Sequence, residues 1–324
     1  MNLVIQFGTG NHLKLRQMYS LIVGNYGCGN YGDDLLLQSC KEHLTGDVKV
    51  MAPGSEFLPL PPCGFKSLLN IRSYKSILDI YNSKRVIFGG GGLLNADEPH
   101  SYFIWGHVLF WARLFKKEVS FLGQSFNRRL PFLLRLMIRG CNVYVRDTLS
   151  LSYYNDAKLS ADLAFSLNFN HKFKRIIFDK YVCVSLRTSK KLTLQILQTY
   201  LKSLISHYKK IGYKVVFLPF DINDTRITEG LDDVVLADQN QILDFIKYCE
   251  LCYTGRLHAL IVSSILGTPQ SPLVYANKMI GLATDLDLPY FDLRQSTIFQ
   301  ASKGSKVSKH KLDSMRNASL KNFI

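Results

Sequence analysis

Thr254-Gly255-Arg256-Leu257-His258-Ala259-Leu260 is the stretch on which the reading of this chain turns. Cys252-Tyr253 before it reads as the end of a short buried strand, and Thr254-Gly255 as a tight turn. Leu257, Leu260, Ile261, Ser264 and Ile265 then recur at helical spacing until Gly267 and Pro269 stop the run. That order predicts Arg256 and His258 in the first helical turn, where unpaired backbone N–H groups and the positive dipole end favour an anion. Arginine adds a planar fork suited to phosphate or carboxylate, and histidine a group that moves a proton near neutral pH. Plainer readings stand beside these: Arg256 in a surface ion pair at a helix start, and His258 partly buried and hydrogen-bonded.

Outward from this segment, short β-rich runs alternate with helical patterns. Leu21-Ile22-Val23 leads into a glycine-rich turn, and Asp34 to His43 reads as helix. Arg85-Val86-Ile87-Phe88 runs into Gly89-Gly90-Gly91-Gly92, and strands at 119–122 and 143–145 are separated by helical stretches near 102–116 and 131–139. The pattern restarts with a strand at 181–186 and a helix carrying Leu194, Leu197, Leu201, Leu204 and Tyr208 on one face. Strands at 215–218 and 234–236 and a helix at 241–248 follow.

Such alternation implies α/β architecture, with parallel sheets covered by helices on both faces. Two series predict two Rossmann-like domains facing a cleft, at 1–165 and 176–300. They are parted within 160–180 by a polar stretch holding Asn168, Asn170, His171, Lys172, Lys174 and Arg175. Ligands of open α/β sheets sit beyond the carboxyl ends of strands. Gly24, Gly89, Arg146, Arg187 and Gly255 all fall at such ends. Residues 301–324, with six cations and few aromatics, read as a solvated basic tail or weak helix with no core of its own.

Composition narrows the function classes. At 324 residues the chain is long enough for two domains with their own cores, and 47% hydrophobic with 20% charged residues describes a folded globular protein. No apolar run reaches the ~18 residues that span a bilayer. The start lacks the pattern of a secretory leader, so a cytoplasmic protein is expected. Seven cysteines without framework spacing fit a reducing compartment. Cys249-Glu250-Leu251-Cys252 lacks the second pair a structural zinc site needs, so both cysteines read as small core residues and no metal is expected. A net charge of +15 favours anionic partners, but the cations are dispersed and match no nucleic-acid-binding module. The run 126–139 is apolar with arginines at its edges. It reads first as a core helix with a basic outer face, and second as a segment resting on an anionic membrane.

The segment from Gly255 to Asp285, with Arg-Leu-His and then Tyr275-Ala276-Asn277-Lys278, resembles the C-terminal signature of the polysaccharide pyruvyl transferase family. Gly24-Asn25-Tyr26-Gly27-Cys28-Gly29-Asn30-Tyr31-Gly32-Asp33-Asp34 resembles its N-terminal glycine-rich turn, though Cys28 and Gly29 lengthen the spacing. Gly89 to Leu94 and Arg146-Asp147-Thr148-Leu149-Ser150 resemble two further elements, so the likeness spans about residues 20 to 290 in order. The resemblance implies a two-domain B-type glycosyltransferase architecture and a transferase that moves the enolpyruvyl group of phosphoenolpyruvate onto two sugar hydroxyls. The product is a cyclic ketal and phosphate is released. The implied partners are phosphoenolpyruvate, as co-substrate without a further cofactor, and a sugar acceptor of cell-surface polysaccharide synthesis carried on a polyprenyl diphosphate. In the two domains the acceptor falls to the first and phosphoenolpyruvate to the second.

Phosphoenolpyruvate carries a carboxylate and a phosphate, so its site needs several cations and N–H donors. Arg256 is the leading clamp, with Arg187 at a strand end and Lys278 as further candidates; the latter two also read as ordinary surface cations. His258 is the candidate general acid–base group, and Arg256 would stabilise departing phosphate. Gly27, Gly90 and Gly91 permit close backbone approach to a ligand, and Asn25 and Asp33 offer groups for sugar hydroxyls. The same loop also reads as a strand-to-helix turn with Asp33 as helix cap. Three other functions stay open: a nucleotide-sugar glycosyltransferase on this scaffold, a non-catalytic family member, and an anion-binding module for acidic polysaccharide.

Overall fold

The computed structural model describes residues 18–61, 71–94, 99–169, 173–174, 180–190 and 192–324. Its first sheet contains β1 (Ser20–Val23), β2 (Val48–Met51), β3 (Arg85–Phe88), β4 (Glu118–Gln124), β5 (Asn142–Val145) and β6 (Lys158–Leu159), all parallel in the order β2-β1-β3-β4-β5-β6. The second contains β7 (Tyr181–Ser185), β8 (Lys214–Phe217), β9 (Val234–Leu236), β10 (Leu251–Thr254), β11 (Gln270–Val274) and β12 (Phe291–Asp292), parallel in the order β12-β11-β10-β7-β8-β9. Helices α1 (Tyr31–His43), α2 (Ile71–Asn82), α3 (Pro99–Leu114), α4 (Phe132–Ile138) and α5 (Thr148–Tyr153) accompany the first sheet. Helices α6 (Leu194–Lys210), α7 (Ile242–Tyr248), α8 (Leu257–Leu266) and α9 (Asn277–Asp285) accompany the second, and α10 (Lys309–Leu320) follows it.

The strands read as near-continuous apolar runs because both faces are covered. Alternate residues divide between layers: Ile22, Ile87 and Leu122 point one way, and Leu21, Val23, Val86 and Phe88 the other. In the second sheet Cys183, Val216 and Cys252 oppose Val184, Phe217 and Tyr253. One cluster joins the inward faces of both sheets through α1, α7 and α8. Cys249 and Cys252 are buried within it, in agreement with their reading as core.

Two stretches differ from expectation. The expected polar break opens with Ala161, Leu163, Ala164, Phe165 and Leu167, all buried in the shared core, where residues 163–166 form a 3₁₀ turn capped by Asp162. Of its polar residues Asn168 and Lys174 are exposed, while Asn170, His171, Lys172 and Arg175 lie outside the described residues. The second is the C-terminal segment, which is no solvated tail. Helix α10 lies across the first domain, with Arg316 donating to the Leu167 carbonyl at 3.0 Å and Phe323 stacked on His43 at 4.9 Å between centroids. Buried Asn322 spends its whole amide there. It accepts from the Gly123 N–H at 2.7 Å and the Ser160 hydroxyl, and donates to the Ala161 and Ser319 carbonyls. Lys303, Lys306, Lys309 and Lys321 are exposed, on the solvent side of a strap that ties the end of the chain to the first sheet.

Strand order reverses on either side of β1 in the first sheet and of β7 in the second. Loops after β1 and β3, and after β7 and β10, therefore open into crevices that face one another.

Candidate functional site

The loop after β1 joins the domains before it does anything else. Gly29 offers its carbonyl to the Ile222 N–H and to Gln239 Nε2, both at 3.0 Å, and the Tyr31 N–H donates to the Phe220 carbonyl at 2.8 Å. Helix α1 is capped by Asn30, whose side chain accepts from the Gly32 N–H at 3.1 Å; Asp33, expected as the cap, instead sits in the first turn. Its carboxylate accepts from Asn30 Nδ2 at 3.0 Å and Asn25 Nδ2 at 3.3 Å. Burial raises that carboxyl to about 6. The Gly27 N–H is spent on Asp34 at 3.0 Å, so Gly27 supports the loop and does not line the cavity.

From the second domain, Gly255 makes the turn after β10. A Cβ there would stand 2.4 Å from the Ser185 carbonyl, which is why only glycine fits. Arg256 is the N-cap residue of α8, just before the first turn, and His258 is the second helical residue. The imidazole rests on α1 of the first domain: a Cβ on Gly32 would lie 1.9 Å from His258 Nδ1. The N-termini of α1 and α8 thus meet across the cleft at a glycine.

The space they enclose is a cavity of ≈ 390 Å³, within the range of small-molecule sites. Asn25, Asp33, Gly90 and Gly91 line it from the first domain, and Arg187, Arg256, His258 and Lys278 from the second. Eight of the nine residues singled out in the sequence therefore converge; Gly27 does not. The structure adds His100, Ser101 and Trp105 from the start of α3, and Arg146 from the end of β5.

The cations divide into two kinds. Arg256 is buried, with Nε 2.9 Å from Asp224 Oδ2, a second contact from Nη2 to Oδ1, and Asp221 at 3.8 Å. Its fork is already filled by a carboxylate. Burial pushes the Asp224 carboxyl up to about 6 against the pull of the guanidinium. Arg146 is likewise paired with buried Asp162. By contrast, Arg187 and Lys278 have no carboxylate within ion-pair distance among the described residues. Lys278 is water-accessible inside the cavity, yet it stands between its walls. Desolvation, with repulsion from Arg146 and Arg187, lowers its ammonium to about 8.

His258 Nε2 is buried without a hydrogen-bond partner, 3.8 Å from Asp162 Oδ2. Burial lowers the imidazole to about 4, against the pull of Asp162 and with Arg146, Lys278 and Arg256 adding to the shift. It is neutral at pH 7. Asp162 would be raised by its own burial, but Arg146, His258 and the Ala164 N–H hold its carboxyl below the ordinary range. Asp162, Asp221 and Asp224 escape sequence reasoning because each lies in a stretch with no local chemical signature; only the arginines they meet across the fold give them a place.

Helices α8 and α9 both begin without a side-chain cap, so their first N–H groups remain available beside Arg187 and Lys278. Among the described residues no group of three or more His, Cys, Asp or Glu is placed to hold a metal ion. No helix among the described residues is long and apolar enough to cross a membrane.

In overall structure the chain is similar to UDP-N-acetylglucosamine 2-epimerases. The enzyme from Rickettsia bellii superposes with a TM-score of 0.58 at 12% identity, over 94% of this chain and 95% of that one. The enzyme from Methanocaldococcus jannaschii gives 0.51 at 12% identity, over 94% and 92%. The one from Neisseria meningitidis, solved with UDP-GlcNAc bound, gives 0.50 at 11%, over 86% and 88%. At such identity the likeness establishes the fold, the two-domain B-type glycosyltransferase architecture, and nothing more. No curated protein matches the sequence. The sequence model of the family described as polysaccharide pyruvyl transferase matches residues 30–277, from the helix cap of the glycine-rich loop to the start of α9, and so takes in most of the cavity lining, with Asn25 and Lys278 just outside the match. On that match the chain belongs to the polysaccharide pyruvyl transferase family.

Proposed function

We propose that the cavity takes phosphoenolpyruvate as donor and transfers its enolpyruvyl group to two hydroxyls of a sugar in a cell-surface polysaccharide precursor. The observation that carries this reading is the pair Arg187 and Lys278, cations without carboxylate partners, beside the uncapped starts of α8 and α9 and a neutral histidine. A small dianion or trianion fits that arrangement on charge and size. The opposite wall, with Asn25, Asp33, Ser101 and Trp105, offers the polar groups and aromatic face that suit a sugar. Two hydroxyl protons must leave the acceptor; one ends on the methylene carbon, making it methyl, and the other leaves with phosphate. Two C–O bonds form at the adjacent carbon and the bond to the phosphate oxygen breaks. His258, neutral at rest, is assigned the uptake and return of those protons, with Asp162 steadying the imidazolium. Arg146 and Arg256, already paired, add positive potential from within the cavity wall.

Calorimetric titration of phosphoenolpyruvate and, separately, UDP into wild type and Lys278→Met tests the assignment. Phosphoenolpyruvate should bind wild type and bind the variant at least about tenfold more weakly, the weight of one charge-assisted hydrogen bond. UDP binding with phosphoenolpyruvate silent would replace this reading with nucleotide-sugar transfer.

Two further outcomes are expected. With Lys278 protonated only below about 8, kcat/KM for phosphoenolpyruvate should decline as pH rises through 8, and Lys278→Arg should move that limb upward. An unchanged alkaline limb in the arginine variant would detach it from this residue. Gly32→Ala should lose about 10²-fold in turnover through displacement of His258, and should also lower Tm, because the new methyl meets a packed ring and the overlap outweighs the better helix propensity of alanine. Wild-type turnover with an unchanged Tm would show that the imidazole does not need this seat.

A further inference from the structure

We propose that the outer face formed by α2, α3 and α4 docks on the surface of an anionic phospholipid bilayer, with the mouth of the cavity at its edge. This inference is independent of the reaction the cavity performs. These three helices pack on one side of the first sheet through Ile80, Trp105, Leu109, Ala112, Leu134 and Ile138. Their outward sides should then be polar, and they are not. Leu78 is exposed on α2, Phe110 and Leu114 on α3, and Leu136 on α4. The most prominent are Phe103 at 73% exposed, Phe132 at 68% and Leu133 at 67%. On α3 they fall at i, i+7 and i+11, a single stripe along a helix of 16 residues.

The charge around this apolar surface selects the partner. Between residues 99 and 139 the sequence has seven lysines and arginines and one acid, Glu118. Arg113, Arg128, Arg129, Arg135 and Arg139 are all exposed. Between α4 and the end of α5 lies an open groove of ≈ 380 Å³, lined by Arg129, Arg135 and Arg139 together with Phe132 and Leu136; Asp156 is its acid. Guanidinium groups around an aromatic floor fit a lipid phosphate above and acyl carbon below. A second copy of this chain would set the same cations against one another across a two-fold interface, which disfavours self-association here. Helix α3 also supplies His100, Ser101, Ile104 and Trp105 to the cavity wall, so the docking stripe and the cavity share one rigid element.

Both tryptophans of the chain lie on α3, but Trp105 is buried against the sheet, so it is half-buried Trp111, beside the apolar stripe, whose emission responds to docking. The test is flotation of the full-length protein with phosphatidylcholine vesicles, with and without phosphatidylglycerol, together with tryptophan emission. Wild type should float with the phosphatidylglycerol vesicles alone and shift its emission to the blue. Phe132→Ser with Leu133→Ser, and separately Arg135→Glu with Arg139→Glu, should each lower the bound-to-free ratio by roughly tenfold or more. Lys202→Glu with Lys210→Glu on α6 makes the same change in net charge on another face and should leave binding intact. Matched thermal unfolding confirms that each variant is folded. The proposal is overturned by equal flotation on both vesicle types or by none. It is equally overturned if the α6 variant loses as much as the α4 variant, which marks unspecific attraction of a +15 chain, or if the serine variant binds like wild type. Co-purification of a protein partner on this face without vesicle binding would also sink it.

Discussion

His258→Ala is expected to lower kcat by about 10²–10⁴-fold, the usual worth of a positioned acid–base group, while phosphoenolpyruvate affinity changes little. The separation follows from the charge state. Burial holds the imidazole at about 4, so at neutral pH it carries no charge with which to attract the donor. Its contribution is confined to steps in which a hydroxyl proton moves. The sign of the pH dependence is fixed by the same shift. The base form is complete well above 4 and is lost only as pH falls through 4, so no acid limb near the ordinary histidine value of ~6.5 is expected from this residue. A limb near 6 would belong to Asp33 or Asp224, whose carboxyls are both raised to that value. Single-turnover rates and donor titrations on the alanine and glutamine variants check this. Turnover within a few-fold of wild type would withdraw the role, and a parallel loss of donor affinity would point to collapse of the wall on Gly32.

Asp224→Ala is expected to cost about 3 kcal/mol of folding stability, toward the lower end for breaking a buried ion pair because Arg256 borders the cavity. The reciprocal change, Arg256→Met, should cost less. A guanidinium cannot shed its charge, whereas Asp224, already pushed up to about 6 by burial, can take up a proton when its partner goes. Urea unfolding of both variants measures the asymmetry. Equal losses would mean that shape, and not charge, sets the worth of the pair. This pair also revises the expected part of Arg256. Read alone it is an anion clamp; in the fold its fork is committed to Asp224, and the cavity cations without a carboxylate in ion-pair distance among the described residues are Arg187 and Lys278.

Much of the fold is legible because parallel strands buried on both faces must be apolar throughout. Residues 85–88, 181–185 and 251–254 announce themselves in this way. Strand β2 does not, since Val48 and Val50 are partly exposed and Lys49 lies outside the apolar pattern, nor does β11, where Pro272 argues against a strand. The C-terminal segment reads as a basic tail or weak helix because its mean composition is polar; it is a helix, but one with buried anchors. Ser319 and, just beyond α10, Asn322 bond to Leu163, Gly123, Ser160 and Ala161, all more than 150 positions away in the chain.

The sequence by itself determined the two-fold βα alternation, the glycine turns at strand ends and the Arg-Leu-His helix start, because each depends on neighbours within a few residues. From those come the fold class, the family and eight residues of the cavity. Tertiary structure alone decided which cations are neutralised, that Gly32 exists to seat His258 from the other domain, and that the imidazole is neutral. Those properties depend on burial and on charges brought together from distant segments, and no local pattern records a distance across a cleft.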